Sequence, residues 1–188
     1  MRYRTFVAIE VSPFSRDRLR GLQAQLAAAG EGIRWVEAPK FHMTLVFLGD
    51  VDEREVIKVC RAVEDVAAAH APFSFTLQGV GAFPNLRRPR TLIAKVSDGA
   101  EAIRQLQLAI EVPLLELGCY RREVRGFTPH VTVGRVTRDA SEELPRALQK
   151  FAVWQGGETN VTQVHVLASN LGPGGPEYTT LGRAKLTG

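Results

Sequence analysis

Apolar positions recur along the chain with two different periods. Residues 3–11, YRTFVAIEV, are rich in aromatic and β-branched side chains and read as a strand. Ser12 and Pro13 then read as a helix cap with proline in the first turn. Leu19, Leu22 and Leu26 continue at helical spacing to about Ala29, with Gly30 as the stop. A short strand is predicted over 33–38, ended by Pro39, and another over 41–48, after which Gly49 and Asp50 turn the chain. Asp52 is positioned to cap a helix reaching about Ala69, with Val56, Val59, Val63 and Val66 on one face.

Residues 73–83 alternate as a strand, and 91–96 return from a turn at NLRRPR. A helix over 99–118 carries Ile103, Leu106 and Ile110 on one face, and Pro113 predicts a kink or a split. A strand over 126–136, a short helix from Ser141 to about Lys150, and strands over 159–170 and 178–186 complete the chain, with a loop at LGPGGPE. Hairpins mixed with helices predict an α+β fold. The length of 188 residues suits a single domain spanning 1–188, built as two small lobes on a shared core.

Composition narrows the class. Hydrophobic residues make up 45% of the chain, yet no apolar run approaches the length of about 18 that a membrane span needs. The opening stretch is too short in apolar residues for a signal peptide, so a cytoplasmic protein is expected. Cys60 and Cys119 lie far apart in helical contexts and are expected to be reduced thiols. The net charge of +4 is a mild bias, but 19 of the 24 cations are arginine, whose planar fork suits phosphate. A GC-rich genome or a thermophilic host would leave the same imprint.

Chemistry enters at FHMTLVFLGD, residues 41–50. In a strand, residues two apart share a face, so His42 and Thr44 project together while Met43 and Leu45 turn to the core. The pattern returns at TPHVTVGR, residues 128–135, with His130 and Thr132 against Val131 and Val133. One His-x-Thr in a strand is unremarkable. Two copies, among only four histidines and nearly half the chain apart, point to a paired site. Two imidazoles can take a proton from one oxygen and give one to another near neutral pH. Two hydroxyls beside them can hold the non-bridging oxygens of a phosphate. Such chemistry needs no metal and no cofactor.

With these motifs in hand, the chain resembles the 2H phosphoesterase superfamily, and within it the bacterial and archaeal RNA 2′,3′-cyclic phosphodiesterases, first described as 2′-5′ RNA ligases. RTFVAIEV, FHMTLVFLGDV, GVGAFPNLRRPRTLIAKV, FTPHVTVGRV and VLASNLGPGGPEYTTL carry the resemblance over nearly the whole chain. It implies a bilobal fold, with two pseudo-symmetric antiparallel sheets flanked by helices around a central cleft. It implies opening of a terminal 2′,3′-cyclic phosphate to a 2′-phosphate, with weak reversal as ligation. In that scheme His42 donates a proton to the leaving 3′ oxygen, His130 activates water, and Thr44 and Thr132 hold the phosphate. Arg135 matches the arginine after the second motif, but it falls on the wrong face of a regular strand unless the chain bends near Gly134. The implied partners are RNA ends with a 2′,3′-cyclic phosphate, on tRNA fragments or nucleotides, met by a monomer. A phosphodiesterase of small cyclic nucleotides and an RNA- or nucleotide-binding module stand as the alternatives.

Other residues carry weaker signals. Arg87, Arg88 and Arg90, and Arg121, Arg122 and Arg125, form basic clusters that either track an RNA backbone or form a solvated surface. Phe6, Phe47 and Trp35 are expected in the core, with stacking on a base as the alternative. His165 lacks a threonine partner and reads as structural, and His70 reads as a helix-end cation. HExxH, GxSxG and a lysine-bearing phosphate loop are all missing from the sequence.

Overall fold

The structure, a computed structural model, describes residues 1–28, 32–122, 126–137, 142–172 and 175–188, apart from the side chain of Leu171. Ala29, Gly30, Arg125 and Ser141, singled out above, lie outside the described residues. The elements in chain order are β1 (Arg2–Glu10), α1 (Pro13–Ala27), β2 (Ile33–Trp35), β3 (His42–Asp52), α2 (Glu53–Ala68), β4 (Phe73–Phe83) and β5 (Thr91–Val96). They continue with α3 (Ala100–Glu116), β6 (His130–Val136), α4 (Leu144–Gln149), β7 (Gln155–Val161), β8 (Gln163–Gly172) and β9 (Gly175–Lys185). Two antiparallel sheets result, one of four strands in the order β3-β1-β8-β9, the other of five in the order β2-β6-β5-β4-β7. The α+β expectation holds. The chain nevertheless passes back and forth, so the sheets are not its two halves.

Local chemistry accounts for the helices. The Ser12 hydroxyl accepts from the Ser15 amide, and the Asp52 carboxylate accepts from the Arg54 amide, each satisfying a donor the helix leaves open. Such a cap stabilises a helix by about 1 kcal/mol. The predicted faces bury as expected at Leu19, Leu22 and Leu26 on α1, Val56, Val59 and Val63 on α2, and Ile103, Leu106 and Ile110 on α3, while Val66 of α2 is only partly buried. α1 packs on β7 of the five-stranded sheet, and α2 on β8 and β9 of the other. Pro113 does not split α3. It falls in the last turn, where its missing amide costs one bond and the Leu117 amide still reaches the Pro113 carbonyl.

Several strand boundaries differ from the sequence reading. Gly49 and Asp50 do not turn the chain, because Gly49 takes a φ of 76° within β3 and stays paired with Thr5. β2 is only Ile33–Trp35, and Ala38–Lys40 form a 3-10 turn around Pro39. The strand expected from 126 begins at His130, just after Pro129, which has no amide to give a ladder. The single strand expected over 159–170 is two strands that enter different sheets on either side of Thr162. Of the expected loop at 171–177, residues 171–172 and 175–177 are strand, since β8 and β9 pair as far as Gly172 and Gly175, and residues 173–174 lie outside the described residues.

Candidate active site

β3, at the edge of its sheet, packs on β6 of the other, which brings the two His-x-Thr strands together. Both histidines are held in one way. His42 Nδ1 donates to the Lys40 carbonyl at 2.8 Å, and His130 Nδ1 donates to the Thr128 carbonyl at 2.8 Å. Each carbonyl lies two residues before its histidine. Because it can only accept, it fixes the proton on Nδ1 and leaves Nε2 of the neutral ring with a lone pair. His42 Nε2 meets the Thr44 hydroxyl at 3.0 Å.

The two strands also share a defect. In β3 the pairing with β1 runs Ile9 with Met43, Ala8 with Thr44, then Val7 with Val46, so Leu45 is an extra residue. In β6 the pairing with β5 runs Ala94 with Val131, Ile93 with Thr132, then Leu92 with Gly134, so Val133 is extra. A bulge directly after each threonine reverses which side chains face the cleft from that point on. Arg135 pairs with Thr91, which shares a face with Ile93 and Lys95, the partners of Thr132 and His130. Arg135 is thereby on the face of His130 and Thr132, and the bend required near Gly134 is this bulge. By the same logic Phe47, opposite Phe6, shares a face with Thr44 and His42. Gly134 makes room for β2 here, because a Cβ would come within 2.8 Å of Ile33 Cγ2 and 3.0 Å of Trp35 Cε3 and would force those side chains to shift.

Aromatic rings wall the histidines. Phe6 lies 5.1 Å from the His42 ring, and Tyr178 meets His42 edge-on at 5.2 Å. Phe83 meets His130 edge-on at 5.0 Å. Tyr178 and Phe83 were missed in the sequence, because nothing local marks a β9 tyrosine or the end of β4 as neighbours of the motifs. Their signal lies in sheet pairing alone. Of the aromatics weighed earlier, Phe6 is buried against His42, Phe47 is exposed beneath the Arg4 guanidinium, and Trp35 covers Gly134.

Electrostatics favour neutral imidazoles in the free protein. Burial pushes the His42 pKa below the usual histidine value; the Lys40 carbonyl and the Glu10 carboxylate pull it up, and the charge on His130 pushes it further down. Glu10 pairs directly across from His42. Burial likewise lowers the His130 pKa, opposed by the Thr128 carbonyl and reinforced by Arg135. An anion placed between the rings would oppose these shifts, because it favours the charged form of both.

The remaining sequence candidates lie elsewhere or have structural roles. His70 donates to the Val66 carbonyl at the end of α2. His165 is buried, with Nδ1 3.5 Å from Glu10 Oε1, on the same sheet face as the site. Arg122 pairs with the buried Glu111 at 3.1 Å, so it stabilises its own loop. Cys60 and Cys119 are free and half-buried, with burial pushing both thiols up. Among the described residues, no helix is long and apolar enough to cross a membrane.

Two packed antiparallel sheets, each presenting a His-x-Thr strand to the other, match the arrangement that the resemblance to the 2H phosphoesterases implies. Comparison with known proteins agrees. The model of the LigT like Phosphoesterase family matches residues 9–93. An RNA 2′,3′-cyclic phosphodiesterase of Methanothermobacter thermautotrophicus is 34% identical over 185 residues, 96% of this chain and 97% of that one. One of Aquifex aeolicus is 32% identical over 148 residues, 79% of each chain. The crystal structure of TT0787 of Thermus thermophilus superimposes with a TM-score of 0.84 at 28% identity, covering 98% of both chains. This chain belongs to the LigT-like phosphoesterase family of the 2H superfamily.

Proposed function

We propose that this protein is an RNA 2′,3′-cyclic phosphodiesterase that opens a terminal cyclic phosphate to a 2′-phosphate, using two histidines and no metal. The observation that carries the reading is the matched anchoring of the histidines, each Nδ1 tied to the carbonyl two residues back. A module that only binds has no use for two imidazoles of the same tautomer beside two hydroxyls. The substrate class comes from the shared name of the relatives.

In this mechanism neutral His130 takes a proton from water through Nε2 as the water oxygen bonds to phosphorus. His42, protonated on both nitrogens, gives its Nε2 proton to O3′ as the P–O3′ bond breaks. The proton count balances, and the pair returns to its starting state by exchange with solvent. Thr44 gives up its bond to Nε2 and turns its hydroxyl to a non-bridging oxygen. Thr132 and Arg135 hold the phosphate from the other sheet, where charge-assisted bonds are worth most. Run in the same direction with a 5′ hydroxyl in place of water, the same steps form a P–O5′ bond as P–O3′ breaks and leave a 2′-5′ linkage. The test is to incubate the protein, with a chelator present, with an RNA ending in a 2′,3′-cyclic phosphate. A 2′-phosphate product is expected. No turnover, or turnover only after a divalent ion is added back, would overturn the proposal.

A further inference from the structure

A groove of about 840 Å³ opens beside His130 and runs away from it across the five-stranded sheet. Its floor is the same sheet face as the site. Lys95 pairs with His130, Ile93 with Thr132, and Gly81 with Ile93, so the surface continues from β6 over β5 to β4. Thr128, whose carbonyl holds His130, and Phe83, whose ring meets it, form the wall shared with the site.

Three cations line the groove: Lys95, Arg87 from the β4–β5 connection, and Arg104 from α3. Among the described residues, no Asp or Glu lines it. Arg104 is loosely tied to Glu101 at 3.5 Å, with both side chains largely exposed, a contact a phosphate displaces at little cost. The Asn85 carboxamide accepts from the amides of Arg87 and Arg88, which fixes the turn that carries Arg87. Gly81 leaves room for Lys95, whose Cε would stand 2.8 Å from a Cβ there. An apolar floor with an aromatic ring, spaced cations and no opposing carboxylate matches single-stranded nucleic acid, whose bases rest on apolar surface while its phosphates meet the cations.

We propose that this groove binds the nucleotides of a single-stranded RNA that adjoin the reacting phosphate, so that the enzyme favours oligonucleotide ends over mononucleotides. The proposal rests on the function proposed above and adds the substrate's length. It assigns RNA contact to Arg87, Lys95 and Arg104 and withholds it from Arg88, which does not line the groove.

The experiment measures KM for a 2′,3′-cyclic mononucleotide and for cyclic-ended oligonucleotides of increasing length up to a hexamer. KM should fall with length in the native protein. In the double variant Arg87→Ala, Arg104→Ala, the hexamer KM should rise about tenfold, and the salt dependence of log KM should flatten by about 1.4, since each lost phosphate contact is worth about 0.7 on a single strand. Arg88→Ala should leave the hexamer KM as it was. A KM independent of length, or an equal effect of Arg88→Ala, overturns the groove and leaves the phosphodiesterase standing. If no cyclic phosphate is opened at all, the proposed function fails, and the groove is then read by fluorescence anisotropy with a labelled hexamer ending in a 3′ hydroxyl. Binding lost in the double variant but kept in Arg88→Ala supports the groove, and no binding refutes it.

Discussion

Arg135 stands on the same strand face as His130, five positions earlier, because Val133 is extruded from the β5–β6 ladder between them. The odd spacing would otherwise turn the guanidinium away from the site. The placement has an electrostatic signature, since Arg135 lowers the proton affinity of His130. Arg135→Ala should therefore do two things. Losing a charge-assisted bond to phosphate should cut kcat/KM by roughly 10- to 100-fold, from about 1.5–3 kcal/mol. The acid limb of the pH profile should move to higher pH, as His130 is freed of a neighbouring cation. A profile measured on the variant checks both, and an unmoved acid limb would place Arg135 away from His130 in solution.

The pH dependence of the native protein follows from the direction of two shifts. The working form needs His42 protonated and His130 neutral, and the pair titrates together. Both rings are pushed below the ordinary value of 6.5, so the maximum of kcat/KM, which reports the free enzyme, should lie below pH 6.5. The kcat profile should sit higher, because bound phosphate favours both charged rings. Glu10→Gln removes the carboxylate that raises the proton affinity of His42, so the alkaline limb should move to lower pH. A native kcat/KM maximum above pH 7 would contradict this account.

Gly134 sets the limit on what the second motif tolerates. Gly134→Ala forces a Cβ against Ile33 and Trp35 of β2, whose backbone pairs with the same stretch. Overpacking of this kind costs about 1–3 kcal/mol. Urea unfolding should show that loss. Activity should fall further than the fraction folded, because moving β2 off β6 disturbs the bulge that aims Arg135.

How much of this was legible beforehand depended on range. His42, Thr44, His130 and Thr132 came from a period of two, a purely local rule. The faces of α1, α2 and α3 followed from helical spacing in the same way. Arg135 could be matched but not placed, because a bulge is a property of two paired strands and leaves no mark within one. The separation of β7 from β8 was lost for a related reason. Their glycine-containing and apolar stretches run together in sequence, and only their partners, β4 and β1, tell them apart. Tyr178 meets His42 across the whole width of a sheet, from the far edge strand.

The division of labour between the histidines is exposed most directly by the leaving group. His42→Ala and His130→Ala should each reduce turnover of a cyclic-ended RNA by about 10² or more, the scale of losing a positioned acid or base. Both side chains are only partly buried, so both variants should fold. The two should then part company on an activated phosphodiester, whose leaving oxygen is a weak base. Such an oxygen departs without a proton, so it has little need of His42, whereas the attacking water still needs His130. Activity of His42→Ala should recover by tenfold or more relative to the RNA substrate, and His130→Ala should recover far less. The product isomer from the native enzyme gives an independent reading of the same geometry. If His42 stands beside O3′, only the P–O3′ bond breaks, and the product carries a 2′-phosphate and a free 3′ hydroxyl. A 3′-phosphate would mean that the ribose sits the other way round between the two sheets. Greater recovery of His130→Ala than of His42→Ala would exchange the roles of acid and base.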